Sequence, residues 1–389
     1  MRLQLTRLLA LALLLWPALG HTDEVVVRGN YYRDRNTRVL QPQVDLNKEF
    51  GSGTLVGASY LLDAITSASV AAGVQRDEPF TEVRNEFGAR LGQRIGPALL
   101  AAGYAYSTES DYQAHSLFVS AVVDLFQKNT TLGLALAYGH DNVHRRMGPT
   151  SYATLGTLDR LSLIATWTQV LTTRLLLTVS YDLGINGFGT KDNGFQANPY
   201  RTVMLGGSPN PEAVPFQRIR HALAASLYLY LPLPSKVVRY LAFRPSYRFY
   251  IDDWSIVSHT PELRMHLAVG PTEFRLTGRY YAQGRASFWN DLGDGRPVYM
   301  GNVGKPCGSC ASDSARGMFF HTADPKLSQM SSLFLELRLV VELGFLRKLS
   351  TWLSEGRVEA SYGHMFNDRW ANITWGDAEV AGLTFVFPL

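Results

Sequence analysis

Two cysteines, Cys307 and Cys310, are the most reactive side chains in this sequence, and they lie three positions apart in the segment Cys-Gly-Ser-Cys. In an oxidising compartment such a pair usually forms a local disulfide. A redox-active dithiol would need a thioredoxin-like strand and helix around it, which the flanking residues do not suggest. A zinc site would need two more ligands, and His321 is the nearest candidate. We predict a disulfide candidate, no metal and no cofactor.

Histidines and aspartates form a second group, at the expected ends of strands. Residues at these outer strand ends could form a ligand or metal site. We favour the alternative, that they are a rim of solvated polar side chains. The sequence has no Gly-x-Ser-x-Gly elbow or comparable nucleophile motif, so a hydrolase has little support and we expect no enzyme. The group is His140, His144, His259, His321 and His364, with Asp141, Asp182, Asp252, Asp253, Asp324 and Asp368.

The third group is ionic and recurs at alternate positions of apolar segments. In the segment 331–344 one alternate set is wholly aliphatic, whereas the other carries Glu336, Arg338 and Glu342. A strand points successive side chains to opposite faces, so each segment has one apolar and one charged face. The candidate lumen-lining residues on the charged faces are Glu82, Arg84, Glu86, Arg90, Arg218, Arg220, Arg244, Arg248, Arg264, Arg275, Arg279, Glu336 and Arg338.

This repetition predicts the fold class: all-β, a single closed antiparallel transmembrane β-barrel of about sixteen strands. A charge facing lipid would cost roughly 2–4 kcal/mol at the membrane midplane, so the ionic side chains must face the lumen. There, Arg and Glu could pair and fill the interior, or the excess arginines on strands 217–285 could line an anion path. Both interpretations stay open.

Connections after even strands are short and those after odd strands include the longest, which predicts short periplasmic turns and long outer loops. The same alternation and turn signals predict four further segments. They are a strand at Arg160–Leu171, a loop at Asn186–Pro215, a strand at Leu263–Val269 and a strand at Glu273–Phe288 whose charged face includes Arg285.

The first twenty residues predict a secretory signal peptide, 1–20, followed by one barrel domain, 21–389. Arg2 and Arg7 precede the apolar run Leu8 to Leu15, which is shorter than the ~20 residues of a spanning helix. The net charge of +4 is too small to indicate nucleic-acid binding, and 19 Tyr, 19 Phe and 7 Trp suit interfacial girdles.

Several stretches resemble an uncharacterised bacterial family, domain of unknown function 3570: YYRDRNTRVLQPQVDL, YLLDAITSAS, DRLSLIATWTQVL, YDLGINGF, NPYR, RIRHALA, YRFYIDDWSIVSHTPEL and FFHTADPKLS. The resemblance implies an outer-membrane barrel and supplies no catalytic residues. Members are similar to proteins thought to be encoded near flavin-attachment and thioredoxin-like genes, which implies a link to envelope redox physiology.

The leading functional hypothesis is a porin-like passive channel in the outer membrane for small polar or anionic solutes. The alternative is a non-conducting scaffold or partner of an envelope redox system that uses the outer rim and the Cys307–Cys310 loop. The expected partners are the lipid bilayer, the barrel-assembly machinery and small solutes. The chain ends Phe387-Pro388-Leu389, so the terminal aromatic common in barrels is displaced by two residues.

Overall fold

The computed structural model describes residues 23–34, 37–67, 80–146, 152–188, 195–205, 208–215, 217–233, 235, 237–289, 322, 324–367 and 376–389. The expected signal peptide and the Cys307–Cys310 pair lie outside these residues, so both stay predictions.

Within the described residues the chain forms eighteen β-strands, with three short helical segments near its C-terminal end. The strands are β1 Glu24–Arg33, β2 Thr37–Glu49, β3 Thr54–Ser67, β4 Phe80–Ile95, β5 Ala98–Thr108, β6 Tyr112–Leu125, β7 Thr130–Arg146, β8 Tyr152–Thr172, β9 Leu175–Phe188, β10 Phe195–Leu205, β11 Ser208–Pro215, β12 Gln217–Pro232, β13 Val238–Asp252, β14 Val257–Val269, β15 Thr272–Gln283, β16 Met330–Glu342, β17 Arg357–Asn367 and β18 Ala378–Pro388. The helical segments are 3₁₀ turns at Pro325–Leu327 and Leu343–Lys348 and the α-helix Thr351–Ser354. Among the described residues, no helix is long and apolar enough to cross a membrane.

Sixteen of the strands close into one antiparallel barrel, which confirms the predicted fold class and strand number. Each strand pairs with its neighbour in sequence, except that β9 pairs with β12, and β1 pairs with β18 to close the ring. The remaining strands, β10 and β11, pair with each other as a separate ribbon. Closure leaves no free edge among the barrel strands, as a hydrocarbon environment requires.

The two ends of the barrel differ in their connections. At the short-turn end, most connections are tight, such as 96–97, 173–174 and 270–271, and the longest is 343–356, which holds two of the helical segments. At the long-loop end, the connection between β15 and β16 spans 284–329. The alternation of short and long connections is therefore the one that the sequence predicted.

The faces of β16 show the predicted segregation of side chains. Leu333, Leu335 and Leu337 are 40%, 48% and 44% exposed on the outer face, whereas Phe334 on the other face is 9% exposed. In a closed barrel the inner face is shielded by the opposite wall, and the outer face is covered only by lipid. The exposed leucines are therefore the membrane-facing side of the wall.

The structure differs from the loop that the sequence predicted at Asn186–Pro215. β9 continues to Phe188, and the rest contains the β10–β11 ribbon. This stretch contains Pro209, Pro211 and Pro215, which favour a loop because proline has no N–H to donate to the hydrogen-bond ladder of a sheet. A two-stranded ribbon has two free edges, so these residues are tolerated there.

Three barrel strands also differ from their expected bounds. β8 begins at Tyr152 rather than Arg160, since the ladder with β7 continues to Tyr152 and the ladder with β9 to Leu158. β14 begins at Val257 rather than Leu263, and Pro261 lies where the β14–β15 ladder is interrupted. β15 ends at Gln283 rather than Phe288, so Arg285 lies beyond the strand rather than on its charged face.

Asp23 joins both chain ends of the barrel to β2. Its carboxylate accepts hydrogen bonds from Lys48 Nζ at 2.7 Å and from the Glu49 N–H at 2.8 Å, and its carbonyl oxygen accepts one from the Leu389 N–H at 2.9 Å. Burial alone would raise the pKa of Asp23, but the bonds from Lys48 and Glu49 outweigh it and lower that pKa below its ordinary value. The charged form of Asp23 thus stabilises the closed seam.

Replacing Leu335 with Arg should prevent or weaken membrane insertion, because the outward position lies near mid-strand, where a charge costs roughly 2–4 kcal/mol. Thr277→Arg is the matched control, since it places the same side chain on the inner face opposite Glu336. The measurement is the urea midpoint of protein refolded into lipid vesicles. Equal midpoints for the two variants would contradict the assignment of the faces.

Asp23→Asn should lower the free energy of unfolding at neutral pH. Since the folded pKa is lowered, the stabilisation is present above the unfolded pKa and is lost as pH falls through the folded pKa. The wild-type and Asp23→Asn proteins should therefore converge in stability in acid. Urea titrations across pH measure this, with Glu24→Gln as the control that keeps the Lys48 contact. A difference between the two proteins that is independent of pH would rule out the ionic seam.

Candidate functional site

The structure places all of the candidate lumen-lining residues on one set of alternate strand positions, opposite the exposed leucines. That they form a solute path stays a prediction. They lie on six strands: Glu82, Arg84, Glu86 and Arg90 on β4, Arg218 and Arg220 on β12, Arg244 and Arg248 on β13, Arg264 on β14, Arg275 and Arg279 on β15, and Glu336 and Arg338 on β16.

This set lies on the concave face of the wall, because its side chains meet across an intervening strand. Arg90 Nη2 on β4 donates to Asn47 Oδ1 on β2 at 2.6 Å, passing over Gly57 of β3. A Cβ at Gly57 would lie 2.2 Å from Arg90 Nε, so this crossing needs the glycine. Likewise, Arg275 Nη1 on β15 lies 3.8 Å from Glu359 Oε2 on β17.

Near the short-turn end, arginines and glutamates neutralise one another. Glu273 accepts from Arg275 Nε at 2.7 Å, pairs with His266 Nδ1 at 2.8 Å and accepts from the Tyr240 hydroxyl at 3.0 Å. Three arginines surround Glu359: Arg275 at 3.8 Å, Arg338 at 3.5 Å and Arg357 at 3.2 Å. Arg338 also lies 3.4 Å from Glu336. Shared charged hydrogen bonds of this kind hold long side chains in place.

Towards the long-loop end, four arginines on the same inner face form what we call the cationic wall: Arg220, Arg244, Arg248 and Arg279. In the part of the chain that the structure describes, none of them lies within 4 Å of a carboxylate. Aromatic rings or an amide hold them instead: Arg244 lies 4.6 Å from the Tyr228 ring centroid, Arg248 5.5 Å from Tyr250, Arg279 5.1 Å from Phe334, and Arg220 donates to Asn186 Oδ1 at 3.0 Å.

A cavity of about 600 Å³ lies against the opposite side of the barrel and has acidic residues in its lining. Glu86 of β4 faces it without an ion pair among the described residues, whereas Arg84 is neutralised by Asp63 at 2.7 Å. Burial raises the pKa of Glu109, in the connection after β5, and Glu82 raises it further against the opposing effect of Arg84. β4 and β14 are eight strands apart in the ring of sixteen, so this acidic side lies across from the cationic wall.

Asp252 corrects the expectation of a solvated rim. Its side chain is fully buried and accepts from Arg218 Nη2 at 2.5 Å, from the Tyr250 hydroxyl at 2.7 Å, and from the N–H groups of Trp254 and Ile256 at 3.1 and 2.9 Å. It therefore fixes the 253–256 turn to β12. Sequence reasoning missed this role, although an Asp-Asp pair before a Trp at a strand end was a signal for such a turn.

Asp141 is a second buried carboxylate on the expected rim, with no exposed surface. It accepts from Arg160 Nη2 at 2.7 Å and from the Tyr112 hydroxyl. Because a buried carboxylate needs such donors, Asp141 is a structural link between β6, β7 and β8 rather than a solvated group.

The other rim residues separate rather than converge. His140 pairs with Asp159, His259 with the Tyr247 hydroxyl, and His364 lies 3.7 Å from Asp377. His321 and Asp368 lie outside the described residues. Among those that the structure describes, no group of three or more His, Cys, Asp or Glu side chains could hold a metal ion.

An apolar cluster gathers three connections at the long-loop end beside Arg218. It consists of Val214, Trp254, Ile256, Ala286, Phe288, Trp289 and Leu327. Trp254 is central: its Nε1 donates to the Gln217 carbonyl oxygen at 3.0 Å, and the Arg218 guanidinium lies 4.5 Å from its ring centroid. The described parts of these connections are thus packed together beside the barrel wall.

Comparison with known proteins gives the same fold. The family model described as protein of unknown function, DUF3570, matches residues 67–160 and 158–360. No curated protein matches the chain.

Solved structures with similar folds share very little sequence. A bacterial polysaccharide outer membrane secretin is 9% identical, with 96% of this chain and 100% of that chain covered and a TM-score of 0.53. CdiB from Acinetobacter baumannii is 8% identical, with 95% and 61% covered and a TM-score of 0.50. These likenesses establish the barrel fold alone.

Replacing Asp252 with Asn should destabilise the 253–256 turn, since removing one partner of a buried ion pair costs roughly 3–5 kcal/mol. We expect faster amide exchange at Trp254 and Ile256, measured by hydrogen–deuterium exchange of the refolded barrel. The adjacent carboxylate gives the control, Asp253→Asn, because Asp253 is exposed and accepts from the Ile219 N–H at 3.0 Å. The same exchange rates in both variants would contradict the anchoring role of Asp252.

Proposed function

The chain belongs to the DUF3570 family of proteins of unknown function, and from this premise we propose that it is a passive outer-membrane channel for small anionic solutes. The observation that carries the proposal is the cationic wall. Arg220, Arg244, Arg248 and Arg279 face the interior, and no described carboxylate neutralises them.

The way these arginines are held supports a role in attracting anions. An aromatic ring face attracts a guanidinium without cancelling its charge, whereas a carboxylate partner would cancel it. Stacking also leaves the N–H groups at the edge of the guanidinium able to donate to a passing anion. A row of such charges on one wall raises the local concentration of anions and disfavours cations.

Two interpretations of the inner charges were open: pairs that fill the interior, and arginines that line an anion path. Each suits a different depth of the barrel. The network around Glu273 and Glu359 suits a filling and bracing role, because its charges are satisfied within the wall. The cationic wall suits selection, because its charges are not. Glu86, across the lumen, would repel anions towards the arginines.

We further propose that the short-turn end faces the periplasm and that the long loops face outwards, as in barrels generally. Export by the signal peptide at 1–20 and insertion by the barrel-assembly machinery belong to the same proposal. The channel would carry out no chemistry and would act by offering a hydrated, charged path through the bilayer.

The test is single-channel recording of the purified barrel in a planar bilayer under a salt gradient. Wild-type protein should pass anions preferentially. The triple variant Arg244→Gln, Arg248→Gln, Arg279→Gln should lose that preference while still conducting, since a unit charge about 4 Å from an ion in water contributes about 1 kcal/mol. Glu86→Gln should shift selectivity further towards anions, and Arg174→Gln, exposed in a turn at the short-turn end, should change neither.

Conduction with unchanged selectivity in the triple variant would contradict the role of the cationic wall but leave the channel. Absence of conductance in properly folded wild-type protein would contradict the channel itself. That second result would favour the non-conducting scaffold or redox partner, which Cys307→Ser then tests through the envelope redox phenotype.

A further inference from the structure

The outer face of β2 has charged residues at both ends of an apolar band. Arg38 and Lys48 are ten positions apart on this face, with Leu40, Val44 and Leu46 between them. At about 3.3 Å per residue and a tilt of roughly 40°, ten residues rise about 25 Å, which is the height of a barrel's membrane-facing band. Arg38 therefore lies at the membrane interface of the long-loop end.

Other outward side chains mark the same level around the barrel. Tyrosine hydroxyls there bond a histidine or a carboxylate on the next strand, as expected of an interfacial aromatic girdle. The described pairs are Tyr104 with His115 at 2.7 Å, Tyr181 with His221 at 2.8 Å, Tyr247 with His259 at 2.5 Å, Tyr138 with Asp159 at 2.8 Å, and Tyr362 with Glu379 at 3.4 Å.

Within this girdle, Arg33 and Arg38 lie directly opposite each other on β1 and β2. Both are exposed, and neither has an ion pair or side-chain hydrogen bond among the described residues. Two like charges in a directly opposed cross-strand pair repel one another. An anion placed between them would convert that repulsion into two attractions.

The nearby carboxylates do not supply this anion. Asp34 accepts from the Tyr32 hydroxyl at 2.9 Å and from the Thr37 N–H at 2.6 Å. Glu379 lies opposite Arg33 on β18, but its carboxylate accepts from Tyr362 and makes no ion pair with Arg33 within 4 Å. Asp34 follows Arg33 at the alternate position and bonds to Tyr32 of the inner face, so on the outer face Arg33, Arg38 and Glu379 leave one excess positive charge.

We propose that Arg33 and Arg38 form a binding site for the phosphate group of an anionic lipid in the leaflet at the long-loop end. Guanidinium groups bind phosphate through paired, charge-assisted hydrogen bonds, and the partly dehydrated interface strengthens them. The acyl chains of the bound lipid would lie along Leu40 and Val44, which continue the same face towards mid-membrane. The site does not depend on whether the barrel conducts.

Native mass spectrometry of the barrel released from phosphatidylcholine–phosphatidylglycerol nanodiscs tests the proposal. Wild-type protein should retain phosphatidylglycerol preferentially, and Arg33→Gln with Arg38→Gln should retain it at least about tenfold less, as expected for the loss of charged hydrogen bonds. Arg33→Lys with Arg38→Lys should retain it partly. Arg285→Gln, an exposed arginine beyond β15, is the charge-matched control and should behave as wild type.

Three outcomes would overturn the proposal: equal retention by the Gln variant and wild type, equal loss in Arg285→Gln, or thermal stabilisation of lipid-free protein by inorganic phosphate that phosphatidylglycerol does not match. The last result would assign the patch to free phosphate instead. Should the double variant fail to fold, judged by its heat-modifiable gel mobility, each single Arg→Gln variant should show part of the loss.

Discussion

Hydrocarbon accepts neither an unpaired peptide group nor a bare charge, and this constraint governs the whole structure. The first part of it requires a closed ring, so β1 must pair with β18. The second part requires each strand to keep its ionic side chains on one side, which only a strict period of two can do. Closure and alternation together place ionic side chains such as Glu336 and Arg338 within a single enclosed space.

Enclosure then has a consequence of its own, because many charges of both signs share one interior. These charges are held in two different ways, at two depths of the barrel. Around Glu273 and Glu359, carboxylates and guanidiniums are shared in a continuous network, so long side chains are braced and net charge is small. Nearer the long-loop end, Arg244, Arg248 and Arg279 are braced by ring faces, so the bracing does not remove their charge.

The sequence alone could predict the closed barrel, its sixteen strands and, apart from Arg285, the face on which the ionic residues of the strands lie, because these follow from alternation within one strand. It could not predict which charges pair, since Arg275 meets Glu359 across an intervening strand and that contact depends on the curvature of the wall.

The sequence also misplaced elements where proline or glycine interrupts the alternating pattern. Pro261 hid the first half of β14, and Pro209 and Pro211 hid a ribbon whose free edges tolerate them. Asp252 looked like a solvated rim residue because its burial comes from Arg218 on another strand.

The same rim shows why the mouth on the side of the cationic wall differs from a ring of free loops. Asp252 holds Arg218 and the 253–256 turn, and the turn presents Trp254 to Phe288, whose ring meets it edge-on at 5.1 Å. Together these contacts form a continuous chain from Arg218 through Asp252 and Trp254 to Phe288. A single buried carboxylate thereby couples the top of β12 to the connection after β15. Arg220, the first arginine of the cationic wall, is two positions from Arg218 on the same inner face, so the packed part of the mouth lies next to the cationic wall.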